Sequence, residues 1–303
     1  MSDKKGKILI ICGPTASGKS KLAVKCASLL QSEIISADAL DVYAGLNIGT
    51  AKPTESEKCG VKHRLLDVVS PEKTFSVGDY KEIARLIVDG LIAEGKIPVV
   101  CGGTGFYVNS IIYDLSYGNG GANLAAREKY IQIAKERGNQ AVFDILRSVD
   151  AESAEKLHPN DVKRVVRALE IYENGVKKSD IKDELTPVYD YAAYAIEYDR
   201  EELYGRIDRR VDKMIDNGLV DEVKGLIARG ITDKNQCMQG IGYKEIYAYL
   251  QGNYTLNDAI AAIKLNTKHY AKRQITFFKR LQGLIWLKPE DEGVLAERIV
   301  KDL

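Results

Sequence analysis

Long hydrophobic runs and paired cysteines are both absent from this 303-residue chain. No apolar stretch approaches the roughly 18 to 20 residues that span a bilayer, and no apolar signal core follows the polar start. We therefore expect a cytoplasmic protein with no membrane association. The cysteines are scattered without a C-x-x-C pair, which excludes a zinc ribbon or a redox dithiol. We expect small buried thiols at Cys12, Cys26, Cys59, Cys101 and Cys237.

The chain also has almost no net charge, because its 44 basic residues nearly balance its 43 acidic ones. The distribution of charge is more informative than its sum, because no acidic residue lies between Asp258 and Glu290. Basic and aromatic side chains alternate there: Lys264, Lys268, His269, Tyr270, Lys272, Arg273, Phe277, Phe278, Lys279 and Arg280. Such a helix suits phosphate contacts and base stacking in RNA, although a solvated amphipathic helix with core aromatics has the same pattern.

A phosphate-binding loop is the clearest motif present. The apolar run Ile8–Cys12 leads into a G-x-x-x-x-G-K-S turn, which a helical pattern follows. Backbone N–H groups and the helix N-terminus converge on an anion in such a loop. The loop comprises Gly13, Pro14, Thr15, Ala16, Ser17, Gly18, Lys19 and Ser20. Lys19 can reach the phosphate oxygens of a diphosphate, and Ser20 can ligate Mg²⁺.

Alternating strands and helices predict an α/β fold, a P-loop NTPase-like parallel sheet flanked by helices. Short apolar runs predict strands at 7–12, 33–36 and 98–101, with further strands at 189–198 and 284–287. Helices are expected at 20–30 and at 79–94. The second helix should bury one apolar face formed by Ile83, Leu86, Ile87 and Leu91.

The chain changes character after a glycine-rich linker at 117–121, because the following stretch reads as helical without a clear strand. We expect a first part of the core at 1–113, a helical insertion at 114–184, and the remainder of the core with basic C-terminal helices at 185–303.

Two polar side chains follow predicted strands at the edge where an open α/β sheet binds its ligand. Asp38 could act as a general base, ligate Mg²⁺, or only cap the next segment. Thr104, within a Gly-Gly-Thr-Gly turn, offers a hydroxyl to the same pocket, unless that turn is only a strand-to-helix connection. Two arginine pairs, Arg206 with Arg210 and Arg164 with Arg167, could bind phosphate or be merely solvated.

Six segments, taken in order and spacing, resemble the tRNA dimethylallyltransferase family over nearly the whole chain. They are the phosphate loop at 13–20, Gly-Thr-Ala-Lys-Pro at 49–53, Gly-Gly-Thr-Gly at 102–105, His-Pro-Asn-Asp at 158–161, Gln-Gly-Ile-Gly-Tyr-Lys at 239–244 and Lys-Arg-Gln-Ile-Thr at 272–276. A phosphate loop alone occurs in many kinases and NTPases, whereas this ordered set is very specific.

The resemblance implies transfer of a dimethylallyl group from dimethylallyl diphosphate to the exocyclic amine of the adenosine 3′ of the anticodon. It implies that Asp38 accepts the amine proton and that Thr104 positions the reacting groups. The phosphate loop and Arg210 would hold the diphosphate, with Mg²⁺ at Ser20. The insertion would face the tRNA anticodon stem-loop, and we expect the protein to act as a monomer.

The resemblance also implies tRNA contacts along the chain. They map onto Asp38, Ala39, Leu40, Asp41, Thr104, Lys163, Arg164, Arg167, Gln239, Gly240, Ile241, Gly242, Tyr243, Lys244, Lys272, Arg273, Gln274 and Lys279. This chain departs from the usual D-S-x-x-x-Y pattern, because Ala39 replaces a serine and Asp41 adds a carboxylate, which we expect beside the RNA path.

Three alternatives stay open at this point. A related prenyltransferase could act on free adenine nucleotides, and a small-molecule kinase could use the phosphate loop to bind ATP. An RNA-binding module with a disabled site could carry the Ala39 and Asp41 departures. The helical insertion and the basic helix favour a large RNA acceptor, because a mononucleotide needs neither.

Overall fold

The computed structural model describes residues 4–116, 123–182, 185–253 and 255–303. The chain divides into two compact units: Met1–Ile112 with Pro187–Leu303, and Tyr113–Thr186. The predicted glycine-rich linker at 117–121 lies outside the described residues.

The first unit is built on a six-stranded sheet in which every neighbouring pair is parallel. Its strands are β1 (Lys7–Cys12), β2 (Ile34–Ser36), β3 (His63–Arg64), β4 (Val99–Gly102), β5 (Asp190–Ile196) and β6 (Leu284–Leu287), in the order β3-β2-β4-β1-β5-β6. The predicted α/β fold with a parallel sheet is confirmed. The prediction missed only β3, whose two residues are too short to show an apolar pattern.

Thirteen α-helices lie in the described residues. They are α1 (Lys19–Leu29), α2 (Glu55–Lys58), α3 (Val77–Ala93), α4 (Gly105–Ile112), α5 (Leu124–Arg137), α6 (Asn139–Val149), α7 (Ala151–Glu155), α8 (Val162–Glu173), α9 (Arg200–Asp216), α10 (Leu219–Ala228), α11 (Tyr243–Leu250), α12 (Leu256–Phe278) and α13 (Glu292–Lys301). The central strand β1 is buried from Ile8 to Cys12, and α1 and α13 share a core with it. This order places the loop after β1 near the middle of the sheet edge, next to the loops after β4 and β5, with the loop after β2 one strand beyond β4.

The buried face of α3 differs from the prediction. Tyr80, Ala84 and Val88 are buried together with Leu91, whereas Ile83 is 40% exposed and Leu86 is 70% exposed. The face is set by the tyrosine, whose hydroxyl donates a hydrogen bond of 2.9 Å to the backbone oxygen of Ser36 at the end of β2. The burial prediction was also wrong for Cys59, which is exposed, while the other four cysteines are buried.

The second unit is helical in its described residues, with α5, α6, α7 and α8 around one small core. Its most unusual feature is the fully buried Glu170, whose carboxylate lies between two arginines. Arg127 approaches it at 3.0 Å and Arg167 at 2.6 Å. The backbone N–H of Asn123 also donates to this carboxylate at 2.9 Å. These bonds tie the start of α5 to α8.

None of the described helices has the combination of length and apolar character that crossing a membrane would require.

Replacement of Glu170 by glutamine should destabilise the second unit, because a neutral amide cannot satisfy two guanidinium groups and a backbone N–H as the carboxylate does. We expect the free energy of unfolding to fall by about 1.5–3 kcal/mol, as for hydrogen bonds to charged groups. Urea denaturation followed by circular dichroism measures this change. The control is Glu173→Gln, on the same helix at a more exposed position. Equal stability of the two variants would contradict this role of Glu170.

Candidate active site

The phosphate loop at residues 13–20 connects β1 to α1, so that α1 begins at Lys19 inside the motif. Gly18 precedes the helix with φ 86° and ψ 3°, in the left-handed region that glycine enters without strain. Gly13 also has a positive φ, of 125°. The hydroxyl of the buried Ser17 has no hydrogen-bond partner within the described part of the protein. The loop thus has the shape and an unused donor expected of an anion-binding turn.

Gln274 joins this loop to the loop after β4. The backbone N–H of Thr15 donates to its Oε1 at 2.9 Å, and its Nε2 donates to the backbone oxygen of Gly103 at 2.9 Å. Only 5% of Gln274 is exposed, and a Cβ at Gly103 would collide with its amide nitrogen. The glycine therefore permits α12 to approach the sheet edge closely.

Asp38 and Thr104 come together at the ends of β2 and β4. The hydroxyl oxygen of Thr104 accepts a hydrogen bond from the Ala39 N–H at 3.0 Å, and the Thr104 N–H donates to the Ala37 oxygen at 3.0 Å. Asp38 Oδ1 accepts the N–H of Leu40 at 3.0 Å. That bond leaves the second carboxylate oxygen for a ligand. Asp38 and Thr104 are therefore held by backbone contacts in one rigid corner.

A cavity of about 340 Å³, here called the main cavity, lies in front of this corner. Asp38, Thr104 and Thr15 of the phosphate loop all line it, so the carboxylate and the anion-binding turn face one space. The other lining residues are Ala39, Leu40, Gly49, Thr50, Arg210, Val211, Met214, Gln239, Gly240, Ile241, Lys244, Ile263, Thr267, Tyr270 and Arg273. Its wall is apolar in part and cationic in part, as in sites that bind an apolar group beside an anion.

The segment 47–50, which contributes to this wall, is held by Glu222. The carboxylate of Glu222 accepts the N–H groups of Asn47, Ile48 and Gly49 at 2.8, 2.7 and 3.1 Å, and the hydroxyl of Tyr243 at 2.6 Å. Arg210 reaches the same segment, because its Nη2 donates to the Thr50 oxygen at 3.0 Å. These contacts hold the first two residues of the Gly-Thr-Ala-Lys-Pro motif, Gly49 and Thr50, at the wall of the main cavity.

Charges of both signs surround the loop lysine. Burial lowers the pKa of the Lys19 amine, the nearby Arg210 lowers it further, and the carboxylates of Asp38 and Asp41 oppose this shift. Burial also raises the pKa of Asp41 above its ordinary value, and the charge of Asp38 acts in the same direction. An anion bound at Lys19 and Arg210 would stabilise both cations. The electrostatics therefore favour a negatively charged ligand at the loop.

The predicted tRNA-contacting residues separate into groups. Gln239, Gly240, Ile241, Lys244 and Arg273 line the main cavity, as do Ala39 and Leu40. Lys272 and Lys279 are exposed but line a different cavity of about 300 Å³, together with Tyr198, Tyr204 and Trp286. Lys163 and Arg164 are exposed in the second unit, where Arg164 pairs with Asp161 at 3.2 Å and Arg167 pairs with the buried Glu170.

Four of these residues form hydrogen bonds inside the protein, and their contact with tRNA stays a prediction. Gln274 is buried between the two loops that its amide joins, and Tyr243 is fully buried against Glu222. Gly242 is buried at the start of α11, where its N–H donates to Glu245 at 2.8 Å. Asp41 does not line the main cavity and instead accepts the hydroxyl of Ser36 at 2.9 Å. These side chains or backbone groups are occupied inside the protein, so they position the site.

The sequence predicted Arg206 and Arg210 as a possible phosphate-binding pair, but it did not predict the three further cations that lie with them beside the loop. Lys21, Arg206, Arg209, Arg210 and Lys213 line an open cavity of about 340 Å³ with Ala16 and Gly18. Arg206 donates from Nε to the Ala16 oxygen at 2.8 Å and stacks on Tyr198. Positions 206, 209, 210 and 213 follow helical spacing, which was the available signal.

The residues near Ser20 fit a magnesium ion that is bound together with a diphosphate. Ser20, Ser36 and Asp41 share a small cavity of about 30 Å³, here called the small cavity, and provide the oxygen donors that Mg²⁺ prefers. No cluster of three or more histidine, cysteine or acidic metal ligands occurs in the described residues. A diphosphate-bound Mg²⁺ needs few protein ligands, because the phosphate oxygens supply several.

The sequence profile described as "IPP transferase" matches residues 41–281 of the chain. The chain belongs to the IPP transferase family. It is 44% identical to a tRNA dimethylallyltransferase of Acetivibrio thermocellus over 98% of this chain and 96% of that protein. A second tRNA dimethylallyltransferase, from Alkaliphilus oremlandii, is 42% identical over 98% of this chain and 97% of its own length. The family resemblance that the motifs indicate is therefore confirmed.

Two solved structures of this family are similar to the fold. The tRNA isopentenylpyrophosphate transferase of Bacillus halodurans superimposes with a TM-score of 0.73 and 38% identity, over 98% of this chain and 95% of that one. A eukaryotic dimethylallyltransferase acting on tRNA gives a TM-score of 0.80 with 28% identity, over 94% of this chain and 74% of that one. The two superpositions cover 98% and 94% of this chain, so it shares the fold of these solved structures over nearly its whole length.

Replacement of Gln274 by leucine should disturb both loops, because it leaves the Thr15 N–H and the Gly103 oxygen without partners. We expect the free energy of unfolding to fall by about 1–3 kcal/mol and pyrophosphate affinity to fall with it. Urea denaturation and isothermal titration calorimetry measure the two effects. The matched control is Thr276→Ala on the same helix, whose hydroxyl bonds only its own helix. A Gln274→Leu variant with unchanged stability and affinity would contradict the assigned contact.

Proposed function

We propose that the protein transfers a dimethylallyl group from dimethylallyl diphosphate to the exocyclic amine of the adenosine 3′ of the anticodon in tRNA, with release of diphosphate. Membership of the IPP transferase family and the names of its relatives support this activity. The observation that carries the proposal is that the phosphate loop and Asp38 face one cavity. Such a cavity can hold a diphosphate and a nucleophile next to each other.

The diphosphate is assigned to the phosphate loop. The backbone of residues 13–20, Lys19 and Arg210 would neutralise it, since Arg210 lies close enough to lower the pKa of the Lys19 amine. Ser20 would hold Mg²⁺, which supplies further charge neutralisation for the departing diphosphate. Fixed charges that face the leaving group lower the barrier, because they need no reorganisation as negative charge develops.

Asp38 is assigned as the general base. The amine nitrogen forms a bond to the first carbon of the dimethylallyl group while the carbon–oxygen bond to diphosphate breaks, and the electron pair leaves with the diphosphate. The amine proton passes to Asp38, which lines the main cavity and has one carboxylate oxygen outside its bond to Leu40. Thr104 fixes the strand ends that carry this carboxylate.

The apolar part of the main cavity suits the dimethylallyl chain. Leu40, Val211, Met214, Ile241 and Ile263 supply it. A five-carbon chain removed from water there is stabilised by roughly 25 cal/mol for each Å² of buried apolar surface. Water is kept from the reacting carbon by the same side chains, which favours transfer to the amine over hydrolysis.

The acceptor base must leave its stack in the anticodon loop to reach Asp38, as in other enzymes that modify a base. Exposed cations near the main cavity, Lys244 and Arg273, are suited to the flanking phosphates. Lys163 and Arg164 of the helical insertion are further candidates for backbone contacts. We also propose that the protein acts as a monomer, because the residues assigned to the chemistry all belong to one unit of one chain.

Transfer of label tests the proposed function. Purified protein with Mg²⁺ and radiolabelled dimethylallyl diphosphate should label unmodified tRNA and leave AMP unlabelled. Label in AMP would favour a cytokinin-type enzyme, and phosphoryl transfer from labelled ATP would favour a kinase. Binding of tRNA without label would overturn the catalytic assignment.

Replacement of Asp38 by asparagine should preserve the hydrogen bond to the Leu40 N–H and remove only the base. We expect single-turnover prenyl transfer to slow by about 10²–10⁴-fold, as for loss of a general base, with tRNA affinity little changed. Rapid-quench measurements and filter binding give the two quantities. Turnover similar to that of the wild type would remove the assigned role.

Replacement of Lys272 and Arg273 by glutamine should weaken tRNA binding, because both side chains are exposed on the basic helix. The plot of log affinity against log salt concentration should become shallower by about 0.7 to 0.9 for each phosphate that is no longer neutralised. Lys264 and Lys268 provide the control pair, since both lie on α12 but are ion-paired with Asp212 and Asp208. An unchanged salt slope in the Lys272 and Arg273 variant would contradict the assignment.

A further inference from the structure

Asp41 lines the small cavity rather than the main cavity, and it shares that space with the last residue of the phosphate loop. The small cavity measures about 30 Å³ and is lined by Ser20, Ser36 and Asp41, with Ile34, Pro53, His63, Leu66 and Cys101. Only three of these side chains present oxygen, and Ser20 is the residue to which Mg²⁺ is assigned. The carboxylate is thus placed at the metal side of the diphosphate site.

The charge of Asp41 has no compensating cation in direct contact. Its carboxylate accepts one hydrogen bond, from the Ser36 hydroxyl at 2.9 Å, and forms no ion pair in the described part of the chain. Lys52, the nearby lysine, is directed elsewhere: its amine pairs with Asp67 at 2.6 Å and donates to the Tyr43 oxygen at 2.9 Å. Lys52 and Arg210 act on this carboxylate only at a distance, and a partly buried carboxylate that has no cation in contact is costly to keep ionised beside Asp38.

The remaining polar groups of the small cavity are poor ligands for a hard cation. Cys101 is a buried thiol that contacts the Lys19 oxygen, and a ring nitrogen of His63 contacts the Val61 oxygen at 2.9 Å. Mg²⁺ selects carboxylate, hydroxyl and water oxygens over thiols and imidazoles. Asp41 is therefore the side chain in this cavity best suited to a divalent cation.

We propose that Asp41 is a magnesium-directed carboxylate, which together with Ser20 holds the Mg²⁺ of the bound diphosphate, either directly or through a metal-bound water that Ser36 helps to orient. This inference rests on the proposed function, since it assumes a diphosphate at the phosphate loop. It also replaces the expectation that Asp41 lies beside the RNA. Asp41 is then a positioning residue, and its effect on the reaction comes through the metal.

The competing account is that Asp41 is only a like charge near the diphosphate. The two accounts predict opposite changes in pyrophosphate affinity when Mg²⁺ is present. If Asp41 only repels the anion, its neutralisation should tighten pyrophosphate binding with or without metal. If it holds Mg²⁺, neutralisation should leave metal-free binding unchanged or tighter but should reduce the gain that Mg²⁺ provides, because linkage between the two ligands is reciprocal.

Calorimetric titration with inorganic pyrophosphate, in EDTA and over a series of MgCl₂ concentrations, separates these outcomes for wild type and Asp41→Asn. We expect the Mg²⁺ concentration that gives half of the affinity gain to rise about tenfold or more in the variant, as for loss of a group that supports a metal ligand. Ser36→Ala should shift it in the same direction by a smaller factor. Mn²⁺ titration followed by electron paramagnetic resonance, with pyrophosphate present, reports the metal directly.

Asp67→Asn is the matched control, because its carboxylate belongs to the neighbouring loop but faces Lys52. Thermal unfolding of each variant shows that it is folded. An unchanged Mg²⁺ dependence in folded Asp41→Asn overturns the inference while leaving the proposed function intact. Absence of any magnesium-dependent pyrophosphate binding by the wild type would instead count against the proposed function.

Discussion

The buried amide of Gln274 is the contact on which the active-site architecture depends. It connects a helix from late in the chain to two loops from its first half, and it uses one donor and one acceptor to do so. Because the amide is buried and both of its bonds go to backbone, the loops after β1 and β4 cannot move independently without leaving polar groups unsatisfied. Gly103 makes this contact possible, because any side chain at that position would collide with the Gln274 amide.

This connection has a chemical consequence. The phosphate loop and the Asp38 corner form neighbouring walls of one cavity only while the two strand ends keep their spacing. Transfer of an alkyl group requires the amine and the carbon–diphosphate bond to be aligned, and preorganisation of this kind supplies much of an enzyme's rate. In the proposed function the charges are distributed accordingly: Lys19 and Arg210 would lie near the leaving group and Asp38 near the amine, while Asp41 lines the small cavity with Ser20.

Much of the fold and of the candidate site could be predicted from the sequence. The phosphate loop, β1 and α1 follow from local rules about glycine, apolar runs and helix starts. The strand segments before Asp38 and Thr104 were found for the same reason. Side-chain environment was harder to predict. The basic pattern of α12 gives no sign that Gln274 turns inward. The motif at 239–244 likewise gives no sign that Tyr243 is buried and donates a hydrogen bond to Glu222, a residue outside the motifs. The predicted face of α3 was wrong because Tyr80 counts as an amphipathic residue in a pattern, whereas its bond to Ser36 decides the packing.

A crystal structure of the protein with Mg²⁺, a non-reactive thio analogue of dimethylallyl diphosphate and an anticodon stem-loop would test the central claim, that both substrates meet in the main cavity. We predict that the diphosphate contacts residues 13–20 and Arg210, and that the exocyclic amine of a flipped adenosine lies within hydrogen-bond distance of Asp38. An adenosine bound outside the main cavity, or a diphosphate bound away from the phosphate loop, would contradict the account.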